Sequence, residues 1–443
     1  MQEKKVFANA KWIIMCRVAQ SILQLIIGMV SARYLGPKNY GLINYAASIV
    51  AFVLPVTQLG FNATMVHELI ENPKNEGKIL GSALVMNLIS SFFCIIGVTF
   101  FALIVNAGEE ETILVCVLYS LSLVFSALET IKFWFQYKLK SKYPSIIMLI
   151  SYVIVSAYKI FLLVSGKNVY WFALINCLDY GIISLSLIFL YKKIGKGKFV
   201  FSFSCAKSLI SRSKYYILSA IMVVVFQTTD HIMLTTMIGQ KENGYYTAAL
   251  TSITVLQFVY HAIIDSYRPL ILSNKKENQA EYEKNISSLY SVILYLSFAQ
   301  SIVFFIFAPL IVSILYGSDY SNSVAVLRVL VWYFSFSLMG TVRNVWILAE
   351  QKQKFLMTIN LFGAIVNVIL NALLIPFYGA GGAAFASFST QVFTNFILGF
   401  LIKSLKQNNR LMLKGLNPKF ALTLIKYLFR TVFLRKSNTE GQL

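Results

Sequence analysis

Read for hydrophobic and polar positions alone, the chain resolves into twelve apolar runs divided by short polar punctuation. Six fall near 9–33, 40–61, 79–104, 112–136, 144–164 and 169–191, and six near 214–238, 245–265, 287–315, 324–347, 355–375 and 380–402. An α-helix rising 1.5 Å per residue crosses roughly 30 Å of hydrocarbon in about 20 residues. Each run is long enough, so the expected fold class is an all-α polytopic membrane protein of about 12 transmembrane helices. The first run continues from about Trp12 to Ala32 without a small-residue cleavage site, which reads as a first span and not as a removed signal peptide.

Charge sets the expected sidedness. The net charge of +21 would suggest nucleic acid in a soluble protein, but a chain 57% hydrophobic and only 13% charged, with mean hydropathy +0.68, has lipid for solvent and no nucleic acid partner is expected. With a cytoplasmic N-terminus, Lys4, Lys5, Lys11, Lys74, Lys78, Lys138, Lys140, Lys142, the basic loop 192–214, Arg268, Lys275, Lys276, Lys284, Lys352 and Lys354 all lie inside. The tail adds nine more from Lys403 to Lys436. The outward loops keep only Arg33, Lys38, Lys167 and Lys241, and one carries Glu109, Glu110 and Glu111. The positive-inside rule therefore predicts that both termini are cytoplasmic. Every outward connection is short, which leaves no room there for a catalytic domain.

A short pattern occurs twice. Gly36-Pro37-Lys38-Asn39-Tyr40-Gly41 follows the first span and Gly239-Gln240-Lys241-Glu242-Asn243-Gly244 follows the seventh; both read G-x-K-x-x-G. The glycines permit a tight turn, and the small residues after each loop permit close helix approach. The same pattern at the same ordinal place predicts duplicated lobes, residues 1–205 and 206–402, each of six helices around a central cavity. Blocks of equal sidedness would be related by an axis along the membrane normal and would work by alternating access. Residues 403–443 form a basic cytoplasmic tail, in which Pro418 to Arg435 has the amphipathic pattern of an interfacial helix on anionic lipid.

Familiar catalytic chemistry is missing from the sequence. Cys16, Cys94, Cys116, Cys177 and Cys205 show no framework or metal spacing, and His67, His231 and His261 are scattered. No phosphate loop or nucleophile triad is visible. The ionisable residues inside spans are another matter, because a central charge costs about 2.5–3.5 kcal/mol to insert and usually faces protein, water or a partner. Glu129 and Lys132 are three residues apart and should meet on one helix face. Lys159 and Asp179, on consecutive spans, are expected to form an ion pair.

Three segments carry a family resemblance. They are Ala32-Arg33-Tyr34-Leu35-Gly36-Pro37 followed by Tyr40-Gly41 and Asn44-Tyr45-Ala46; Asp230-His231-Ile232-Met233-Leu234 leading to Gly244-Tyr245-Tyr246-Thr247-Ala248-Ala249; and Asn367 to Asn371, Leu374-Ile375-Pro376, Tyr378-Gly379 and Gly381-Gly382-Ala383-Ala384. With these the chain resembles the polysaccharide transporter (Wzx-type O-antigen flippase) family of the multidrug/oligosaccharidyl-lipid/polysaccharide exporter superfamily. His231 departs from the family pattern, and no role is carried onto it. The resemblance implies a transporter, not an enzyme. It would flip undecaprenyl-pyrophosphate-linked oligosaccharide from the cytoplasmic to the periplasmic leaflet of the bacterial inner membrane, for O-antigen or related surface polysaccharide. No cofactor is expected beyond a proton or sodium gradient, and the partners are the lipid-linked oligosaccharide, membrane lipid and polysaccharide assembly proteins.

That substrate assigns candidate residues. Arg17, Lys132 and Arg343 lie in the cytoplasmic part of spans one, four and ten and are the candidates for pyrophosphate, which charge-assisted hydrogen bonds can hold in a partly dehydrated cavity. Asn44, Gln58 and Asn62 on span two and Gln257 and His261 on span eight offer neutral donors and acceptors for sugar hydroxyls. Asp230, part of the family pattern, is the candidate for ion coupling, since one charge crossing the bilayer is worth about 2.3 kcal/mol per 100 mV. Two other functions fit the same architecture: a cation-coupled multidrug exporter, which favours an acidic and apolar lining, and a membrane enzyme on lipid-linked sugars, which needs a substantial outward loop.

Overall fold

The computed structural model describes residues 2–195 and 197–421, with side chains described mainly from Ile26 onward. Every regular element among them is helical. Among the described residues, nine helices are long and apolar enough to cross a bilayer, or ten when the pair Gln240–Thr254 and Gln257–Lys275, bent by 44°, counts as one span. Two of these elements are double. The stretch Lys354–Leu401 has 48 residues, about twice the length one crossing needs, and breaks at Gly379, where φ is 52°. Helix α1, Gln2–Thr57, breaks at Gly36, where φ is 67°. Left-handed backbone is cheap only for glycine, and Pro37 begins the next helical segment where no N–H is needed. Taking each broken helix as two passes accounts for the twelve apolar runs.

The chain packs as two compact units, Met1–Thr247 with Leu315–Asp319, and Ala248–Ile314 with Tyr320–Leu443. In the first, α1 is followed by α2 (Phe61–Glu71), α3 (Glu76–Val105), α4 (Glu110–Ser120), α5 (Ser122–Leu128), α6 (Lys132–Tyr137), α7 (Lys142–Val164), α8 (Val169–Ala173), α9 (Ile175–Ile194), α10 (Phe203–Met237) and the first turns of α11 (Gln240–Thr254). The core around Tyr45, Val98, Cys116 and Val169 joins α1, α3, α4 and α8. Another around Met65, Leu80, Trp134 and Tyr191 joins α2, α3, α6 and α9. The segment leading into α10 is strapped over the start of α3: Val200 donates its N–H to the Gly77 carbonyl at 3.1 Å, and Ser82 and Ser202 bond reciprocally. A Cβ at Gly77 would lie 2.2 Å from the Lys198 carbonyl oxygen, so glycine is required for this contact.

The second unit holds α12 (Gln257–Glu277), α13 (Gln279–Ile306), most of α14 (Ala308–Tyr316), α15 (Ser323–Ala349), α16 (Lys354–Val392), a π-helical turn at Phe393–Ile397, α17 (Leu398–Leu401) and α18 (Lys406–Lys414). Asn278 caps α13 by accepting from the N–H groups of Ala280 and Glu281. The beginning of the basic tail is docked: the Tyr290 hydroxyl donates to Asn408 at 2.8 Å, and Asn409 donates to the Phe396 carbonyl at 2.8 Å. Of the amphipathic stretch Pro418 to Arg435, the residues from 422 onward lie outside the described residues.

The two units repeat a helix ending. Lys140 N–H returns to Phe135 and Leu139 N–H to Gln136; Lys352 N–H returns to Ile347 and Gln351 N–H to Leu348. Leu139 and Gln351 both take φ of 54°, the left-handed residue that such a cap requires. Aligned on these caps, Trp134 matches Trp346, while Lys132 matches Asn344 and Ile131 matches Arg343. Lys132 and Arg343 are thus one residue out of step, about 100° around a helix.

Candidate functional site

A cavity of about 560 Å³ lies between α1 and α10. One wall is Ala51, Leu54, Pro55 and Gln58, the other Tyr216, Ala220, Val223, Val224, Gln227 and Thr228, with Gly60 and Asn62 closing one end. The spacing within each wall is that of one helix face. Pro55 has no N–H for the Ala51 carbonyl, so that acceptor is left without its helical donor at the cavity wall. Gln58 donates to the Ser126 hydroxyl at 3.3 Å, and Asn62 donates to the Gln58 side-chain oxygen. Gly60, with φ of 65°, starts α2 against Ser213, and the Thr64 and Ser213 hydroxyls bond at 2.7 Å. The described lining contains hydrogen-bonding amides and hydroxyls but no Asp, Glu, Lys or Arg.

Further along α10, Asp230 is buried and accepts a 2.5 Å hydrogen bond from Tyr246. His231 Nδ1 lies 2.7 Å from Asn243 Oδ1, and Asn243 donates to the Gly41 carbonyl at 2.8 Å. Asp230 therefore sits in a polar cluster between the cavity and the glycine motif.

Of the sugar candidates, Gln58 and Asn62 come together in the cavity. Asn44 spends its amide on the Tyr40 carbonyl of its own helix at 2.8 Å. Gln257 and His261, in the second unit, contact each other at 3.3 Å. Gln227, Thr228 and Tyr216 complete the site and were not singled out by sequence. Their signal is the polar positions on one stripe of span seven, which becomes meaningful only when α10 is known to face α1.

The cationic candidates have separate surroundings. Arg17 lies outside the residues whose side chains are described. Lys132 pairs with Glu129 at 3.0 Å, as the three-residue spacing predicts. Arg343 is buried and donates to the Thr394 carbonyl at 2.8 Å and to Asn395 Oδ1 at 2.7 Å, with Asn344 at 3.3 Å. Thr394 lies in the π-helical turn, where the altered hydrogen-bond ladder can release carbonyls to a side chain. The expected Lys159–Asp179 ion pair is not formed among the described residues. Asp179 instead accepts from the Ser151 hydroxyl at 2.6 Å, a local donor on the facing helix.

Residues 30–325 match the family model described as polysaccharide biosynthesis protein. The chain belongs to this family. No curated protein matches it in sequence. Among solved structures, it is similar to the lipid II flippase MurJ in an inward closed conformation, with 15% identity, 96% of this chain and 99% of that one covered, and a TM-score of 0.71. An inward-facing multidrug resistance MATE family transporter of the MOP superfamily gives 14% identity, coverage of 88% and 96%, and a TM-score of 0.66. The Vibrio cholerae MATE transporter VcmN gives 12% identity, coverage of 93% and 98%, and a TM-score of 0.56. This family member is therefore a multi-pass helical membrane protein with a transporter fold.

Proposed function

We propose that the protein flips undecaprenyl-pyrophosphate-linked oligosaccharide repeat units from the cytoplasmic to the periplasmic leaflet of a bacterial inner membrane, for O-antigen or related surface polysaccharide, with both termini in the cytoplasm. The observation that carries this reading is the lining of the α1/α10 cavity: Gln58, Asn62, Gln227 and Thr228 are neutral hydrogen-bonding groups of the kind sugar hydroxyls require. An exporter of cationic drugs would favour carboxylates there. Arg17 is the proposed centre of pyrophosphate binding. Lys132 and Arg343 are its other candidates, and Asp230 is the proposed coupling group for a proton or sodium gradient. Two six-helix lobes moving by alternating access would carry the step.

The test is reconstitution into vesicles with lipid-linked oligosaccharide in one leaflet, followed by counting repeats in each leaflet with and without an ion gradient. Gradient-dependent redistribution supports the reading. An unchanged leaflet distribution, with restored polysaccharide in a flippase-null host, would favour an enzyme instead.

A further inference from the structure

By span count, α10 and α11 open the second block of six; by packing, α10 and residues 240–247 are part of the first unit. The duplicated motif itself makes the connection. A methyl group on Gly41 would lie 1.8 Å from the Gln240 carbonyl oxygen, and one on Gly244 would lie 2.0 Å from the Pro37 carbonyl oxygen. Gly41 and Gly244 hold the same place in the two G-x-K-x-x-G copies, as do Pro37 and Gln240. The contact is self-complementary: the last glycine of each copy packs on the second residue of the other, the reciprocity that a local two-fold axis generates. Hydrogen bonds flank it, from Asn243 to the Gly41 carbonyl at 2.8 Å and from the Gln240 amide to Glu109 at 2.8 Å and Thr112 at 3.0 Å.

We propose that the paired motifs form a latch that closes one end of the α1/α10 cavity, beyond Asp230, and that they part during each transport cycle. Along α1 the motif precedes the cavity wall, and along α10 it follows it, so both helices carry the contact at the same end. Two backbones touching through glycine leave no passage between them. The holding forces are short-range packing and a few hydrogen bonds that water can replace, which suits a contact that must break and re-form. Outward-facing sidedness of this end follows from the positive-inside count.

Two measurements test the latch, both in a background without the five native cysteines. First, Gln227→Cys is labelled in sealed vesicles of each orientation with a membrane-impermeant maleimide. Gly244→Ala is expected to raise labelling from the motif side by about tenfold, as the closed population falls. Gly97→Ala, whose Cβ meets nothing within 4 Å, leaves it unchanged; equal labelling in the two variants overturns the latch. Second, Glu109→Cys with Gln240→Cys is bridged by a short bis-methanethiosulfonate, each cysteine thiolate displacing a methanesulfinate to form a reducible mixed disulfide, a measurement which does not depend on the folding of Gly244→Ala. Bridging is expected to stop movement of undecaprenyl-pyrophosphate-linked oligosaccharide and reduction to restore it, whereas full transport in fully bridged protein overturns the proposal. The transport arm rests on the proposed substrate. If unbridged protein moves none while labelling still responds to Gly244→Ala, the substrate reading fails and the latch stands.

Discussion

Tyr246 donates its hydroxyl to the buried carboxylate of Asp230 at 2.5 Å, joining α11 to the helix that walls the cavity. A hydrogen bond is electrostatically stronger where the local dielectric is low. Asp230→Asn is expected to insert normally and to lose ion-dependent transport, while Tyr246→Phe keeps the carboxylate and retains partial coupling. Transport by Asp230→Asn with an unaltered response to the gradient would remove Asp230 from the coupling role.

Gln58 and Gln227 face one cavity from opposite helices. Replacing either by Leu deletes a donor and an acceptor, a loss of about 1 kcal/mol per hydrogen bond. Transport of the oligosaccharide is expected to fall by roughly tenfold if one or two bonds are involved, at matched expression. Wild-type rates in the double Gln58→Leu, Gln227→Leu variant would exclude this cavity as the sugar site.

Arg17 offers the planar fork that matches two phosphate oxygens. Arg17→Ala is expected nearly to abolish flipping and Arg17→Lys to restore it only in part, with Lys132→Arg tolerated. Full activity of Arg17→Ala, measured at equal membrane abundance, would displace the proposed centre.

Arg343 is committed to Thr394, Asn395 and Asn344. Arg343→Lys cannot reproduce that fork, and leaving a buried acceptor unmatched costs about 1–3 kcal/mol. A lower thermal midpoint in detergent is expected. An unchanged midpoint with lost transport would instead assign Arg343 to substrate.

Glu350, just beyond α15, is bonded to Lys275 at 2.5 Å and to the Tyr282 hydroxyl at 2.8 Å. Burial works to raise its carboxyl pKa, but the bonds from Lys275 and Tyr282 together outweigh it and hold the group below the usual carboxylate range. Its stabilising contribution is therefore complete above the unfolded carboxyl pKa, about 4.3, and fades as pH falls through the lower folded value. Glu350→Gln should lower the thermal midpoint at pH 7 and flatten its decline on acidification; parallel pH profiles would contradict this.

The sequence by itself determined the solvent, the helical class and the number of passes, because an apolar run of crossing length has few alternatives in lipid and backbone polar groups there must bond within the helix. It also displayed the glycine motif twice and the Glu129–Lys132 pair, since those depend on spacing along one element. Which surfaces meet was decided only by the tertiary structure. Gln227 joins Gln58 because α10 packs on α1, Asp179 finds Ser151 in place of Lys159, and Arg343 is held by a carbonyl of a π-helical turn. The two motif glycines become each other's neighbours for the same reason: helix faces separated by hundreds of residues are matched by shape and hydrogen bonding in three dimensions, information that no single span carries.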